Sequence, residues 1–302
     1  MSQLSAQYFH DEQAAREYLE KVRWPDGVVC PHCGGMDKAY KLEGKSTRPG
    51  LYKCGHCRKP FTVTVGTLFE RSHIPLHKWL LAAYLLCSSK KGISSHQLHR
   101  TLDVTYKTAW FMSHRIRAAM KDSFFVKKIG GGGNIVEADE TYWGTKYPKP
   151  AGARGYAHKE SIFSLVERGG HVRSFHVNTV TGKTLKPIMQ GQINRDTHIV
   201  TDEMGAYKDT DRLFEQHSVV THSKGEYVRG PVHTNTIEGF FSILKRGLVG
   251  IYQHVGSQHL KRYIGEYDFR YNHRHIGDIQ RTIIALRGIA GKRLMYCAPQ
   301  AR

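Results

Sequence analysis

Four of the six cysteines form two pairs with the spacing of a metal site. Cys30-Pro-His-Cys33 and Cys54-Gly-His-Cys57 are Cys-x-x-Cys motifs about twenty residues apart, as in tetrathiolate zinc sites. A redox dithiol is the alternative, but that chemistry needs only one pair and usually lies at a helix start in a βαβ unit. The spacing therefore predicts a structural zinc ion bound by Cys30, Cys33, Cys54 and Cys57.

A second group of residues is suited to holding divalent cations against a phosphodiester. Three acids from separate segments could together hold two Mg²⁺ ions about 4 Å apart. Such a pair activates the attacking oxygen and stabilises the leaving one. We expect Asp139 to bridge both ions, Asp202 to bind one of them and Glu238 the other. Lys245 would then offer its charge to the DNA backbone near the scissile phosphate.

Each of these assignments stays open when it is taken alone, because Asp and Glu are common residues. Glu137, Glu140 and Glu203 are close rivals for a ligand role. Asp202 could instead cap the helix that follows it. A carboxylate inside a strand is nevertheless costly unless a cation neutralises it, and this favours a cation site near residues 137–140.

The segments that carry the acids predict a mixed sheet. Residues 134–141 alternate as a strand, and two β-rich runs at 161–166 and 171–177 follow as a hairpin. A short helical stretch around 185–190 precedes a strand at 197–201, at the end of which Asp202 stands. Three strands, a helix and a strand ending in Asp is the order of an RNase H-like sheet.

A helix is predicted near residues 234–247, where the apolar residues form one stripe that packs on the sheet: Ile237, Phe240, Phe241, Leu244 and Leu248. Glu238 and Lys245 share a face at the border of this stripe, two turns apart. Glu238 is therefore placed to hold metal, and Lys245 is placed to hold phosphate.

The segment from 75 to 121 reads as helices that could bind DNA. Residues 76–86 are apolar on nearly every side, a second helix begins after Ser94, and Thr105 can cap a third. The second and third helices, joined by a short turn, are typical of a helix-turn-helix. Its DNA contacts would come from basic residues on the third helix: Lys107, Arg115 and Arg117. A plain three-helix bundle with a solvated basic face is the alternative.

The composition favours a polyanionic partner. The 302-residue chain has 45 Lys and Arg against 26 Asp and Glu, a formal net charge of +19. It contains no apolar run long enough for a membrane helix and no signal or transit peptide, so we expect a cytoplasmic, nucleoid-associated protein. Cys87 and Cys297 are expected to be buried thiols.

Four segments resemble bacterial insertion-sequence transposases of the DDE class that carry an N-terminal zinc ribbon. They run RWPDGVVCPHCG from Arg23, VEADET from Val136, VHTNTIEGFFSILKRG from Val232 and DFRYN from Asp268. The resemblance extends in one collinear order from about Trp24 to Arg274. Because the motifs come from different parts of the chain and agree, the resemblance is specific.

This resemblance implies a DNA transposase with an RNase H-like catalytic core. It would bind the terminal inverted repeats of its element, cut there and join the freed 3′-OH ends to target DNA, with Mg²⁺ or Mn²⁺ at the active site and structural Zn²⁺. The family's acidic triad and following lysine fall on Asp139, Asp202, Glu238 and Lys245. A homo-oligomer on double-stranded DNA is expected, because two ends must be brought together.

Further residues are expected to contact DNA by their positions around the third acid: His233, Asn235, Lys245 and Arg246. His233 and Asn235 could alternatively orient metal ligands. Two other functions stay open. One is a catalytically inactive zinc and helix-turn-helix DNA-binding protein derived from a transposase, and the other is an RNase H-like nuclease.

The expected fold class is multidomain: a small β zinc ribbon, an all-α helix-turn-helix segment and an α/β RNase H-like catalytic core with a helical C-terminal extension. The predicted domains are an N-terminal helix and zinc ribbon (1–70), a DNA-binding helical segment (71–129), a glycine hinge (130–133), the catalytic domain (134–275) and a basic C-terminal tail (276–302).

Overall fold

A computed structural model describes residues 3–121, 127–146, 151–152, 154–225 and 228–294. Cys297 lies outside these residues. The chain divides into two compact units, the first formed by residues 1–121 with 276–302 and the second by residues 122–275. Among the described residues, none of the helices combines the length and the apolar composition that a membrane crossing requires.

The first unit begins with a helix and a small three-stranded antiparallel sheet. Their bounds are Glu12–Arg23 (α1), Ala39–Lys41 (β1), Tyr52–Cys54 (β2) and Pro60–Phe61 (β3). Asp11 caps α1 by accepting a hydrogen bond from the main chain of Ala14. Trp24, Tyr52 and Phe61 pack edge-on and stacked beneath the sheet, and all three are buried. This aromatic cluster is the small core of the sheet.

Four further helices complete the first unit: Leu76–Ser88 (α2), Ser95–Leu102 (α3), Tyr106–Met120 (α4) and Asp278–Arg287 (α8). The helix α8 packs against α1, α2 and α4. The sequence predicted a separate basic tail over residues 276–302, and here the structure differs. Residues Ala285, Leu286 and Ile289 are buried, so α8 and the turn after it are part of the helical core of the first unit.

The second unit is built on a five-stranded mixed sheet. Its strands are Ile135–Trp143 (β4), Glu160–Glu167 (β5), Val172–Val177 (β6), His198–Asp202 (β7) and Gln216–Val220 (β8). They lie in the order β6-β5-β4-β7-β8, with β4, β5 and β6 antiparallel and with β7 parallel to both β4 and β8. A two-stranded ribbon of Val228–Arg229 (β9) and Val232–His233 (β10) follows.

Helices cover both faces of the five-stranded sheet. Gly182–Gln192 (α5) packs on one face, and Asn235–Gly247 (α6) and Ser257–Asn272 (α7) pack on the other. The stripe predicted for α6 is confirmed, since its apolar residues are at most 5% exposed and join one core cluster: Ile237, Phe240, Phe241, Leu244 and Leu248. The sheet thus has a core on each side, and α6 lies on the same side as α7.

The four glycines at 130–133 form a turn that is hydrogen-bonded to the rest of the second unit, where the sequence predicted a hinge. All four have positive φ, a conformation that glycine adopts without steric cost. The amide of Gly131 donates to Thr197 Oγ1 at 2.9 Å, and that of Gly132 donates to Asp196 Oδ2 at 2.7 Å. A Cβ on Gly130 would lie only 2.4 Å from Thr197 Oγ1, so close packing explains the glycine there.

Candidate active site and metal centres

The four paired cysteines come together in the first unit. Their Sγ atoms all lie within 4.8 Å of one another, with Cys30 and Cys57 at 3.7 Å and Cys33 and Cys54 at 3.6 Å. Four sulfurs bound tetrahedrally at about 2.3 Å from zinc would be about 3.8 Å apart. Hydrogen bonds, of which that from the main-chain N–H of Cys57 has the largest effect, lower the pKa of Cys54 to about 6, which favours the thiolate that a metal binds. The donor set therefore fits a structural zinc ion.

The register of two parallel strands brings Asp139 and Asp202 together in the second unit. Strand β4 pairs with β7 so that Glu137 lies opposite Val200. Two residues further along both strands, Asp139 and Asp202 occupy neighbouring positions on the same face of the sheet. That face is the one covered by α6. The long strand β4 continues beyond the end of β7 at Asp202, so both acids lie near the end of the β4–β7 pairing, and both are partly exposed.

A third carboxylate completes this acidic cluster. One carboxylate oxygen from each of Asp139, Glu140 and Asp202 lies within 4.8 Å of the others. The hydroxyl of the buried Tyr207 donates to Glu140 Oε2 at 2.8 Å. The main chain of Met204 donates to Asp202 Oδ1 at 3.1 Å, so Asp202 also stabilises the turn after β7. These hydrogen bonds orient the acids and leave other oxygens available to a cation.

The cluster is electrostatically unfavourable without a cation. Burial, together with the charges of Glu140, Asp202 and Glu238, raises the pKa of Asp139 to about 8. Burial also raises the pKa values of Glu140 and Asp202. Hard oxygen ligands in this arrangement suit Mg²⁺ or Mn²⁺, which would relieve the repulsion. The donor set therefore fits a divalent cation.

Glu238 and Lys245 lie on α6, and neither belongs to the 4.8 Å group. Glu238 is exposed in the first turn, and its Oε1 accepts a hydrogen bond from Thr234 Oγ1 at 2.7 Å. Its charge nonetheless acts on Asp139, whose pKa it helps to raise. Lys245 is exposed two turns later on the helix. The structure thus brings Asp139 and Asp202 together and places Glu238 within electrostatic range of Asp139.

The other two rivals for a ligand role have different partners. Glu137 is fully buried and pairs with Arg168, whose Nε lies 2.6 Å from Glu137 Oε1. Glu203 is exposed and accepts a hydrogen bond from the main chain of Ser223 at 3.0 Å, which lowers its pKa. Glu140 alone of the three rivals joins the acidic cluster.

The residues proposed for DNA contact on α4 differ in exposure. Lys107 is exposed near the start of the helix. Arg115 is partly buried, with its guanidinium over the ring of Phe111 at 4.6 Å, and burial lowers its pKa. Arg117 is only 1% exposed and donates to Ser113 Oγ at 2.8 Å. The prediction that Arg117 contacts DNA is therefore wrong, because its side chain is buried in the helical core of the first unit.

The residues near Glu238 differ in their exposure and in their partners. His233 lies within the second unit against Arg168, with its Nδ1 at 3.1 Å from Arg168 Nη2, so a role in orientation fits it better than direct DNA contact. Asn235 and Arg246 are exposed on α6, and Arg246 donates to Ser242 Oγ at 2.7 Å. The exposed side chains of α6 therefore include two cations, Lys245 and Arg246.

The sequence indicates Glu140 only as a rival ligand and gives no indication of Tyr207. Adjacency to Asp139 was the signal for Glu140, since a residue that follows a strand acid can reach the same strand end. No sequence pattern marks Tyr207, which lies in the turn after β7 and reaches Glu140 only through the fold.

Comparison with known proteins agrees with this arrangement. Residues 130–272 match the family model of the ISXO2-like transposase domain, and residues 10–60 match that of the transposase zinc-ribbon domain. The chain is 30% identical over 279 residues to an uncharacterized protein in transposable element ISH50 of Halobacterium salinarum, covering 87% of this chain and 91% of that protein. The chain therefore belongs to the family of insertion-sequence DDE transposases that carry an N-terminal zinc ribbon.

Proposed function

We propose that this transposase cuts DNA at the terminal inverted repeats of its own insertion sequence and joins the freed ends to target DNA. The observation that carries the proposal is the register of β4 and β7, which supports a cation site on Asp139, Asp202 and Glu140. Glu238 on α6 is proposed to complete this site from the opposite side. Divalent cations held there would activate the attacking oxygen and stabilise the leaving oxygen.

The chain's own groups are proposed to position the DNA during both steps. In the first step water attacks the scissile phosphorus, the bond to the 3′ oxygen breaks, and a 3′-OH is released. In the second step that 3′-OH attacks a phosphodiester of the target, whose own 3′ oxygen leaves. The exposed Lys245 and Arg246 support this role, because cations near the scissile phosphate hold its backbone without reading sequence.

End recognition is proposed to lie in the first unit. Helices α3 and α4 are joined by a short turn in which Asp103 adopts a left-handed conformation, and two helices joined by so short a turn support a helix-turn-helix. Lys107 is exposed at the start of α4, where a recognition helix contacts base edges. The net charge of +19 supports a DNA partner, and the need to pair two ends supports a homo-oligomer on DNA. The order of the sheet in the second unit supports an RNase H-like core.

The test is a cleavage assay with Mg²⁺ and a duplex that ends in the inverted repeat flanking the gene. We expect site-specific release of a 3′-OH by the wild type and none by Asp139→Asn or Asp202→Asn. Glu203→Gln is the matched control, because this neighbouring carboxylate is exposed outside the cluster and its loss should leave cleavage unchanged. Specific binding without cutting by the wild type would favour an inactive DNA-binding protein, and cutting of unrelated RNA or DNA would favour a general nuclease.

A further inference from the structure

A fully buried carboxylate lies two residues before Asp139 on the same face of β4. Glu137 is 0% exposed, and its two oxygens accept hydrogen bonds from three donors. Arg168 Nε lies at 2.6 Å and Thr236 Oγ1 at 2.9 Å from Oε1, while the main-chain N–H of Ile237 lies at 2.9 Å from Oε2. A buried charge persists only when it is paired and hydrogen-bonded, and these donors meet that requirement. Glu137 is thus engaged by protein groups rather than directed at the acidic cluster.

Two of these donors belong to the first turn of α6. The first N–H groups of a helix lack partners within the helix and usually bond to a capping side chain nearby in sequence. Thr234 stands at the cap position of α6, but its side chain makes no capping bond to the helix main chain. Glu137, from a strand about a hundred residues away in sequence, bonds to Ile237 instead. The start of α6 is therefore fixed to β4 directly beside Asp139.

The partner of Glu137 fixes the chain that leads into α6. Arg168, at the end of the β5 hairpin strand, donates through Nη1 to the carbonyl of Pro231 at 2.5 Å and through Nη2 to the carbonyl of His233 at 2.7 Å. The imidazole of His233 also lies 3.4 Å from Glu137 Oε1. One ion pair thus holds both the approach to α6 and its first turn.

The position of Glu238 depends on this arrangement. Glu238 directly follows Ile237, is exposed, and is bound by Thr234, which belongs to the same segment. Its distance from Asp139 is consequently set by where α6 begins on the sheet. We propose that Glu137 and Arg168 are positioning residues that hold α6 so that Glu238 faces Asp139 across the cation site. This inference rests on the proposed function only in taking Glu238 as a cation ligand.

The experiment measures Mn²⁺ binding to the full zinc-loaded protein by electron paramagnetic resonance, at a temperature far below unfolding. Glu137→Gln keeps the side-chain shape but turns an amide N–H₂ toward donors that need an acceptor. We expect its Mn²⁺ affinity to fall about 10- to 100-fold, the range for groups that orient metal ligands. Hydrogen exchange at the first turn of α6 should rise together with this loss.

The matched control is Glu160→Gln. Glu160 is also a buried carboxylate of the same sheet, on β5, but it bonds to His176 at 2.7 Å and not to α6. It should lose stability and keep the Mn²⁺ affinity of the wild type. Thr236→Val removes a single donor to Glu137 and is expected to weaken Mn²⁺ binding several-fold, so the inference can be tested even if Glu137→Gln does not fold.

Unchanged Mn²⁺ affinity in both Glu137→Gln and Thr236→Val would overturn the inference, as would an equal loss in Glu160→Gln. Arg168→Gln combined with Glu137→Gln replaces the ion pair by two amides, and a partial recovery of Mn²⁺ affinity over Glu137→Gln is the supporting result. If the wild type binds Mn²⁺ but cuts no DNA, the proposed function fails, whereas the positioning inference is still decided by the Mn²⁺ affinities of the variants. The two failures are therefore distinguishable.

Discussion

Replacing Asp139 by Asn should stabilise the protein while removing a ligand of the proposed cation site. Asp139 lies in the acidic cluster with Glu140 and Asp202, and burial together with these charges raises its pKa from 3.8 to about 8. The Asn side chain has nearly the same shape and keeps an oxygen for the main-chain N–H of Glu140, which lies 2.7 Å from Asp139 Oδ1. The substitution therefore removes a charge and leaves the local hydrogen bond in place.

The magnitude follows from the pKa of Asp139. An unfolded chain releases the Asp139 proton near pH 3.8. Above that pH, keeping Asp139 protonated in the folded protein costs about 1.4 kcal/mol of stability per pH unit, so the total cost is on the order of 4 kcal/mol at pH 7. Water reaches the partly exposed side chain and reduces this cost. We expect Asp139→Asn to raise the free energy of unfolding by about 2–4 kcal/mol, or on the order of 5–10 °C in Tm for a unit of this size.

The raised pKa of Asp139 also determines how the free energy of unfolding changes with pH. The folded protein keeps the Asp139 proton up to about pH 8, whereas the unfolded chain loses it near 3.8. The unfolding free energy of the wild type therefore falls as the pH rises between these values. The advantage of Asp139→Asn should be nearly absent at pH 4 and largest above pH 8.

The assay is calorimetry of zinc-loaded protein in buffer freed of other divalent cations, with Mg²⁺ then added. Mg²⁺ should raise the Tm of the wild type and leave that of Asp139→Asn unchanged. Asp211→Asn removes an exposed carboxylate from the same unit and should change stability by less than about 0.5 kcal/mol. A less stable Asp139→Asn at pH 8, or one that still responds to Mg²⁺, would refute the reasoning.

Three further substitutions test other parts of the account. Cys54→Ser should release zinc and unfold the small sheet, measured by metal analysis and circular dichroism, whereas Cys87→Ser should keep its zinc because that thiol is buried outside the cluster. Tyr207→Phe removes the hydroxyl that donates to Glu140 at 2.8 Å and should cost about 1–2 kcal/mol in denaturant unfolding without Mg²⁺; no change would count against this contact. Asn272→Ala should cost about 2 kcal/mol in the same measurement, because it leaves two main-chain groups of an edge strand without their partners.

The last substitution concerns the DFRYN segment, which the fold explains in structural terms. Strand β6 is an edge of the sheet, and α7 lies along it. Asn272 accepts from the N–H of Val172 at 2.7 Å and donates to its carbonyl at 3.0 Å, as a neighbouring strand would. Asp268 accepts from the main chain and the hydroxyl of Ser174 at 2.8 and 2.6 Å. These side chains satisfy the edge strand and so protect it from pairing with another chain.

Local features of the fold could be predicted because their causes lie within a few residues. Ser94 accepts from the main chain of Gln97 at 3.1 Å, and Thr105 accepts from that of Thr108 at 3.2 Å. Both caps are confirmed, since a hydroxyl three residues before a free N–H suffices to form one. The apolar stripe of α6 is confirmed for the same reason, because helical periodicity alone determines which residues share a face.

Features that depend on distant segments could not be predicted. Arg117 lies off the apolar stripe of α4, so periodicity assigns it to solvent. In the structure α4 is surrounded by α2, α3 and α8, and Arg117 is buried among them. Burial of α4 therefore depends on other segments, among them α8, which comes from the segment predicted as a basic tail.

The candidate site likewise has features that the sequence predicts and features that depend on the fold. The order of elements predicts strands that end near Asp139 and Asp202, but only the parallel register of β4 and β7 brings these two residues side by side. The strand β7 ends at Asp202, and the adjacent Glu203 is exposed and bonds to the main chain of Ser223. The role of Glu137 was equally inaccessible, because its donors Arg168 and Ile237 come from segments far away in the sequence.

The most direct test of the central claim is the position of divalent cations in crystals of the full protein grown with Mn²⁺, located by anomalous scattering. We expect Mn²⁺ coordinated by carboxylate oxygens of Asp139 and Asp202, with Glu140 or Glu238 completing the site, and no such peak in crystals of Asp139→Asn. Mn²⁺ bound at other carboxylates, with Asp139 and Asp202 free of metal in a protein that cuts DNA, would contradict it.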